Sequence, residues 1–494
     1  MKKNTTFLFL LLSVCLLSNK SFATHFLGGE IGYTCIAPGT YVAEYKAYFD
    51  CNASGGPPQT WQLNLKSAGC VPDQVITASK GSTDKVIQTY CPSYGNTCGV
   101  PSLYKLLETT YTATFTVAAQ CTEYYLSVQD CSIGPMVNLD GFPCLYLETY
   151  LNTAAPGNNI SSPAFLGLTT LHYTVNSPVT IPNMAIDRYP GGLDSLGYAL
   201  TSALENANTP ITYTNGTSFS NPILSSAPIT FHPASGLLSF TPNVFNNVPP
   251  IFSNNVYAMV VEASGYKKIN GVMTKVTSAQ RRYPVAILDT APNQNPEITN
   301  ITINGQPLPV SGIVDAFSGD NLTIQFATAD ANTADTVSIY DPGSNLPVPT
   351  TTGGKNPTGT LNLNLTNEGL HWYPIIVKDN ACPVRGVATQ MVGLNMQKAL
   401  GIAKDVSANT GFTAFPNPFS NAINFRISQP ATARVIAIFN LLGQQIDAIP
   451  LKTVGSGEQK VQWQNANKYA AGTYVARLIS EDKTIQTLKF TKLQ

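Results

Sequence analysis

Charge is scarce in this chain of 494 residues. Charged residues make up 11% of it, against roughly a quarter in typical soluble proteins. The 28 Lys and Arg residues balance 28 Asp and Glu residues, so the net charge gives no reason to expect nucleic acid or acidic lipid as a partner. The surface must instead be made polar by Thr, Ser, Asn and Gln, as in many extracellular β proteins.

Long segments without Gly or Pro are also scarce, because the chain contains 37 Gly and 35 Pro residues. This excludes long helices, and only residues 101–109 and 391–407 hint at helix. Clean alternation of apolar and polar residues, as in 41–49 and 111–117, is typical of half-buried antiparallel strands. We predict an all-β fold: tandem antiparallel β-sandwich domains of immunoglobulin-like type, preceded by a disulfide-rich β domain.

Catalytic motifs are absent as well. The sequence holds no Gly-x-Ser-x-Gly elbow, no His-Glu-x-x-His helix and no phosphate-binding glycine loop. The four histidines lie far apart, at His25, His172, His232 and His371. We therefore predict a non-enzymatic protein with no catalytic residues. An extracellular carbohydrate-active hydrolase, or its carbohydrate-binding subunit, is the alternative, since a β-sandwich glycosidase needs only two carboxylates.

Aromatic residues are the more plausible recognition surface, because the chain holds 23 Tyr. Stacking on sugar rings is a role for aromatic side chains such as Trp61, Tyr124-Tyr125 and Trp372-Tyr373. Tyr and Trp in strands are nevertheless more often core residues than ligand platforms.

The first 23 residues have the pattern of a cleaved signal peptide. Lys2 and Lys3 precede an apolar segment at 7–17, and Ser21-Phe22-Ala23 supplies small residues at the cleavage site. The apolar segment is shorter than the roughly twenty residues that span a bilayer, and no later segment is apolar enough for an anchor. We expect cleavage after Ala23 and an exported, soluble mature chain.

The cysteines are concentrated near the N-terminus. Eight of the ten lie in one segment: Cys35, Cys51, Cys70, Cys91, Cys98, Cys121, Cys131 and Cys144. An even number of cysteines in an exported chain predicts a disulfide framework. A metal site is disfavoured because no Cys-x-x-Cys spacing occurs and the only histidine nearby is His25.

The sequence leaves the disulfide connectivity mostly undetermined, since eight cysteines can pair in roughly a hundred ways. We favour one pair, Cys35 with Cys51, because the two flank the strand predicted at 41–49. Such a bridge would stabilise the fold by about 3 kcal/mol. Cys382 is left over, and is either buried as a small hydrophobic residue or paired outside its own domain.

Composition and pattern divide the chain into successive segments. The predicted order is a signal peptide (1–23), a Cys-rich β domain (24–174), an Ig-like or cadherin-like sandwich (175–290), a second sandwich (291–397), a linker (398–411) and a terminal sandwich (412–494). A hairpin around Ser235-Gly236 is predicted within the second domain.

Two acidic turns repeat faintly along the chain. Asp187 and Asp194 bracket the first turn, and Asp330 and Asp335 bracket the second. Oxygen ligands in a tight loop suit calcium, so these four residues are the candidate metal ligands. The default interpretation is a turn capped by Asp, and no cofactor is predicted beyond this calcium candidate.

The last eighty residues carry an ordered set of short motifs. Phe415-Pro416-Asn417-Pro418-Phe419 opens the segment, the turn at Gly443 and the strand start at Gly472 and Tyr474 follow, and a basic strand with Lys489 closes it. This order resembles the type A C-terminal sorting domain of type IX secretion substrates. The resemblance implies the type IX machinery as partner, passage through the outer membrane, removal of the domain, and a secreted or surface location.

The front of the chain resembles gliding-motility-associated, adhesin-like surface proteins. The matching pieces are 24–31, 48–52, 145–149 and 158–163, while 369–379 is similar to a late strand of a polycystic-kidney-disease-type (PKD) domain. The resemblance implies β-rich surface modules without known chemistry. We therefore predict an adhesin-like protein whose ligand is surface polysaccharide, another extracellular glycan or a protein.

Overall fold

The computed structural model describes residues 26–51, 56–87, 90–91, 93, 105–118, 121–131, 133–141, 144–153, 160–168, 170–188, 193–249, 253–290, 293–341, 346–397, 412–428, 435–440, 443–451, 458–480 and 483–493. The chain forms two compact units, which divide after Lys398. The predicted signal peptide, His25, Cys98 and the predicted linker lie outside the described residues.

The first unit begins with ten strands. They are β1 (Phe26–Ala37), β2 (Thr40–Asp50), β3 (Thr60–Ser67), β4 (Gln74–Lys80), β5 (Lys85–Ile87), β6 (Leu106–Thr116), β7 (Glu123–Asp130), β8 (Leu145–Asn152), β9 (Ala164–Phe165) and β10 (His172–Thr174). The alternation seen at 41–49 is reproduced in β2, whose odd-numbered residues from Tyr41 to Phe49 are buried.

Nine more strands follow before the third module. They are β11 (Val179–Pro182), β12 (Ala185–Ile186), β13 (Ser195–Leu200), β14 (Leu204–Asn206), β15 (Thr209–Pro210), β16 (Thr230–Phe231), β17 (Leu237–Phe240), β18 (Val256–Ile269) and β19 (Val272–Leu288). A short 3-10 helix, Ser253–Asn255, precedes β18. Strands β16 and β17 form the predicted hairpin, in which Phe231 pairs with Leu238.

One fourteen-stranded sheet crosses the predicted boundary at residue 174. Its main path runs β13-β18-β19-β1-β2-β6-β4-β3-β7-β8-β14-β15, so β19 of the predicted second domain pairs with β1 of the first. Gly29 lies opposite Arg282 in this pairing. A Cβ at the neighbouring Gly28 would lie 2.2 Å from the Arg282 carbonyl oxygen, so only glycine allows this approach. The boundary predicted at residue 174, between the Cys-rich β domain and the Ig-like or cadherin-like sandwich, therefore falls inside one sheet.

A buried ion pair joins the two halves of this large sheet. Glu30 accepts hydrogen bonds from Arg281 Nε and Nη2 at 2.9 and 2.6 Å. It also accepts from Lys46 Nζ and Tyr48 Oη, each at 3.2 Å. Burial alone would raise the pKa of Glu30, but the charges and hydrogen bonds of Arg281 and Lys46 lower it to about 2. Three strands, β1, β2 and β19, are thereby held by one charge cluster.

The third module is a two-sheet sandwich. Its strands are β20 (Glu297–Ile303), β21 (Gln306–Pro307), β22 (Ile313–Phe317), β23 (Asn321–Ala329), β24 (Ser338–Ile339), β25 (Thr350–Thr352), β26 (Thr358–Asn364), β27 (Gly369–Lys378) and β28 (Val387–Gln397). The sheet orders are β21-β20-β23-β26-β25 and β22-β28-β27-β24. Phe326, Leu361, Ile375 and Leu394 are among the side chains that fill the core between them.

The second unit is a smaller sandwich. Its strands are β29 (Phe412–Phe415), β30 (Asn424–Ser428), β31 (Val435–Phe439), β32 (Gln445–Pro450), β33 (Glu458–Gln462), β34 (Gly472–Ser480) and β35 (Lys483–Lys492), with a 3-10 helix at Ala466–Lys468. They form the sheets β29-β30-β33 and β32-β31-β34-β35. The all-β prediction is confirmed. The two helix hints are wrong, because 106–109 lie in β6 and 391–397 lie in β28.

Three disulfides in the first unit join cysteines that are both among the described residues: Cys70–Cys121, Cys91–Cys382 and Cys131–Cys144. Cys51 is also disulfide-bonded, but the favoured pairing with Cys35 is wrong, because the Cys35 thiol donates a hydrogen bond to the Ala37 carbonyl at 3.4 Å. Cys35 pairs with Tyr41 near the turn of the β1–β2 hairpin, whereas Cys51 follows its other end. A strand of about ten residues puts them roughly 30 Å apart.

Candidate functional site

The opening motif of the second unit ties its first strand to its last. The side-chain Oδ1 of Asn417 accepts a hydrogen bond from the Thr491 backbone N–H at 2.9 Å, and its Nδ2 donates to the Lys489 carbonyl at 3.3 Å. Phe419 continues the contact through backbone hydrogen bonds with Thr491 and Leu493. Pro416 and Pro418 flank Asn417. Both prolines lie after the end of β29, where the missing backbone N–H costs no hydrogen bond between strands.

The remaining motif residues lie in turns, in the core or at the surface. Phe419 is buried, and Phe415 is exposed enough for the Arg426 guanidinium to lie over its ring. Tyr474 packs in the core and donates to the Ala470 carbonyl at 2.6 Å. Gly443 has a positive φ of 75° in its turn, as the tight reversal requires, Gly472 begins β34, and Lys489 is exposed. The motif therefore closes a complete sandwich and presents a basic edge strand.

A cleft lies within the first unit, between the segment around β12–β13 and the third module. Its volume is about 350 Å³, at the lower end of the range for small-molecule sites. One wall carries Asp187, Asp194 and Leu196, and the facing wall includes Leu363 and Trp372. Backbone from both sides meets here, since a Cβ at Gly369 would lie 3.6 Å from the Asp194 carbonyl oxygen.

The walls of the cleft are fixed by packing. Trp372 lies edge-to-face with His232, with ring centroids 5.4 Å apart. A Cβ at Gly393 would lie 3.0 Å from the indole ring, so glycine makes room for the Trp. Tyr373 donates a hydrogen bond to the Pro347 carbonyl, which holds the segment that forms another part of the wall. Burial raises the pKa of Tyr373 to about 12.

The part of the cleft that the structure describes carries carboxylates but neither Lys nor Arg. Among the described residues that line it, three are carboxylates (Asp187, Asp194 and Glu368) and none is Lys or Arg. Asp187 accepts a hydrogen bond from the Leu193 N–H at 2.9 Å, and Asp194 accepts from the Lys268 N–H at 2.6 Å. Asp187 thus caps its own turn, whereas Asp194 is engaged by the backbone of β18.

The second acidic turn gains a ligand that the sequence pattern did not indicate. Oxygen atoms of Asp330, Asp335 and Asp379 lie within 4.8 Å of one another. Asp379 is buried and accepts hydrogen bonds from the Ala381 and Gly386 N–H groups at 3.0 and 2.8 Å. It follows β27, more than forty residues beyond Asp335, so no local spacing could have identified it.

Two oxygens in or beside this acidic cluster have no hydrogen-bond donor among the described residues. They are Oδ2 of Asp330 and Oδ1 of Asn293, both buried. Burial, with a smaller contribution from the Asp335 charge, raises the pKa of Asp330. Burial also raises the pKa of Asp379, although Asn293 Nδ2 donates to it at 2.7 Å. Oxygen atoms without donors, grouped with carboxylates, are what a hard divalent cation would coordinate.

The other predicted recognition residues lie mainly in the core. Trp61 packs against Phe26 and Tyr45 with centroid distances of 5.5 and 5.3 Å, and Tyr124 is buried. His172 is fully buried, which lowers its pKa to about 3. Of the predicted aromatic pairs, Trp372-Tyr373 is the one that reaches the cleft.

The C-terminal unit matches a known family. Residues 413–492 match the family described as the secretion system C-terminal sorting domain. No curated protein sequence matches the chain. No helix among the described residues is long and apolar enough to cross a membrane. The sorting domain marks the chain as a substrate of type IX secretion, exported to the cell surface or the medium.

Several solved structures are similar to the chain at low identity. The ICAM-5 D1–D4 ectodomain fragment is 9% identical, with 92% of this chain and 96% of that chain covered and a TM-score of 0.17. The three-Ig titin fragment I67–I69 is also 9% identical, with coverage of 75% and 99% and a TM-score of 0.14. Protocadherin gamma B7 cadherin domains 1–4 are 15% identical, with coverage of 69% and 72% and a TM-score of 0.14.

Proposed function

We propose that this exported protein is a non-catalytic, adhesin-like binding protein, and that its ligand occupies the cleft between the β12–β13 segment and the third module. The observation that carries the proposal is the cleft itself, whose walls combine apolar, aromatic and amide side chains. Ligand sites are typically concave and mainly apolar, with a few polar groups that fix orientation.

Anchoring of the third module supports a ready-made site. The Cys91–Cys382 disulfide links it covalently to the first part of the chain, and Asn295 Nδ2 donates to the Pro178 carbonyl at 2.6 Å. Leu166 and Met184 pack against Met391 across the same junction. Walls held in this way lose little conformational freedom when a ligand binds.

A charge placed in the cleft tests this proposal. Leu370 lines the cleft and is 40% exposed, so Leu370→Asp adds charge with little effect on the core. We expect this variant to lose attachment to an extracellular matrix preparation while it is exported normally. Val310→Asp, at a fully exposed position of the same module outside the cleft, is the matched control. Equal attachment by wild type and Leu370→Asp would overturn the proposal.

A carbohydrate-active hydrolase is the second candidate, because three carboxylates line one cleft. Two of them already accept backbone hydrogen bonds, Asp187 from Leu193 in its own turn and Asp194 from Lys268 in β18, which favours binding over catalysis. Release of reducing sugar by the wild type, lost in Glu368→Gln, would establish the hydrolase instead.

A further inference from the structure

The side chains of the cleft limit the chemistry of its ligand. With three carboxylates and no Lys or Arg among the described lining residues, the cleft repels phosphate, sulfate and carboxylate groups. Recognition of such anions normally uses Arg or Lys. The ligand is therefore neutral or cationic.

The cleft also offers two kinds of contact side by side. Leu196, Leu370 and Trp372 supply apolar and aromatic surface, and Asn362, Asn364 and Asn367 supply amide groups. Amides both donate and accept hydrogen bonds. A pyranose ring needs this combination, because it has apolar C–H faces and a rim of hydroxyl groups.

An uncharged polar ladder continues from the cleft across the outer face of the β23-β26-β25 sheet. Asn364 Nδ2 donates to Asn321 Oδ1 at 2.9 Å, and Thr323 Oγ1 donates to Asn362 Oδ1 at 2.9 Å. On the far side of β26, the hydroxyl groups of Thr352 and Thr358 lie 2.7 Å apart. Asn362 and Asn364 belong both to this ladder and to the cleft wall.

We propose that the ligand is a neutral polysaccharide, held in the cleft and continued along this ladder of Asn and Thr side chains. The inference rests on the proposed binding function of the same cleft. Alternate side chains on one strand face are about 6.6 Å apart, and neighbouring strands about 4.8 Å apart. The ladder therefore presents a regular array of hydroxyl and amide groups to a chain longer than the cleft.

Binding of the full chain to immobilised polysaccharides tests the inference. The neutral probes are β-glucan, xylan and mannan, and the anionic probes are alginate and polygalacturonate. We expect binding to at least one neutral probe and none to the anionic probes. The double variant Asn362→Ala/Asn364→Ala should weaken neutral binding about ten- to thirtyfold, since it removes two sets of hydrogen bonds. Thr112→Ala/Thr114→Ala, at exposed positions of β6, is the control and should bind like the wild type.

A charge variant keeps the test decisive if the amide variant folds poorly. Leu370→Lys should lower affinity for the neutral probe and raise it for alginate, with the thermal midpoint unchanged. Preference of the wild type for anionic probes, or neutral binding that neither variant changes, would overturn the inference. If no polysaccharide binds while Leu370→Asp still abolishes matrix attachment, the sugar assignment fails and the binding function stands. If that variant attaches normally, the binding function itself fails.

Discussion

The two units of the chain are stabilised by different chemistry. The first unit combines disulfides with a buried charge cluster around Glu30 and Arg281. The sorting domain has no cysteine, since the last one in the sequence is Cys382. Its core instead includes a group of touching aromatic rings, in which Trp463, Phe490 and Tyr474 lie within 6.0 Å of one another by centroid.

This contrast separates what each unit needs in order to fold. The sorting domain needs neither an oxidant nor paired charges in its core, because burial of aromatic surface supplies its stability. The first unit depends on an oxidising compartment and on ionised Glu30. We therefore expect reductant and acid to act on the first unit and to leave the sorting domain folded.

Removal of the sorting domain should have the largest effect. A chain truncated after Gly411 keeps every cysteine and the whole charge cluster, so we expect its first unit to fold but to remain inside the cell. Immunoblots of cell and medium fractions measure this directly. Normal amounts of the truncated chain outside the cell would show that export does not depend on this domain.

Loss of the buried carboxylate should be the largest effect on stability. Glu30→Gln leaves the guanidinium of Arg281 buried without its counter-charge, which costs about 3–5 kcal/mol. Unfolding of the full chain in urea, followed by tryptophan fluorescence, measures this loss. It should appear in the transition that belongs to the first unit. Glu297→Gln, at an exposed position, is the control and should change stability by less than about 0.5 kcal/mol.

The same carboxylate predicts a pH dependence. The folded-state pKa of Glu30, about 2, lies below the unfolded value near 4.3. Its stabilising contribution is therefore present above about pH 4.3 and is lost as the pH falls toward 2. Wild-type and Glu30→Gln curves of stability against pH should converge in acid, and parallel curves would contradict the assignment.

Removal of the Cys91–Cys382 bridge should rank next. It joins residues 291 positions apart, and Cys91→Ser/Cys382→Ser should cost about 2–4 kcal/mol, because it frees the unfolded chain. Cys131→Ser/Cys144→Ser opens a loop with a sequence separation of 13 and should cost less on the same entropic argument. Differential scanning calorimetry compares the two. A larger loss from the shorter loop would contradict the argument, and the sorting domain should melt unchanged in both variants.

Local patterns predicted the strands well and their partners poorly. Alternation at 41–49 and the turn at Ser235-Gly236 identified β2 and the β16–β17 hairpin, because side-chain period and turn chemistry are local properties. Pairing of β1 with β19 joins residues some 250 positions apart, and nothing local encodes it. The same distance effect hid the partner of Cys91 and made Cys35–Cys51 attractive. In the cleft, Trp372 was identified as an aromatic residue, but its acidic neighbours come from β12–β13, a different part of the chain.

The smallest expected effect lies in the acidic cluster of the third module, where calcium should restore the balance of charge. Asp330, Asp335 and Asp379 repel one another at their separation within 4.8 Å, and a cation at ten times its Kd would add about 1.4 kcal/mol. We expect millimolar calcium to raise the thermal midpoint of the wild type. Asp330→Asn should be at least as stable without calcium, because it relieves repulsion, and should lose the response. Asp315→Asn, at an exposed carboxylate of the same module, should keep it. A midpoint unchanged by both calcium and chelator in the wild type would show that these carboxylates only cap turns.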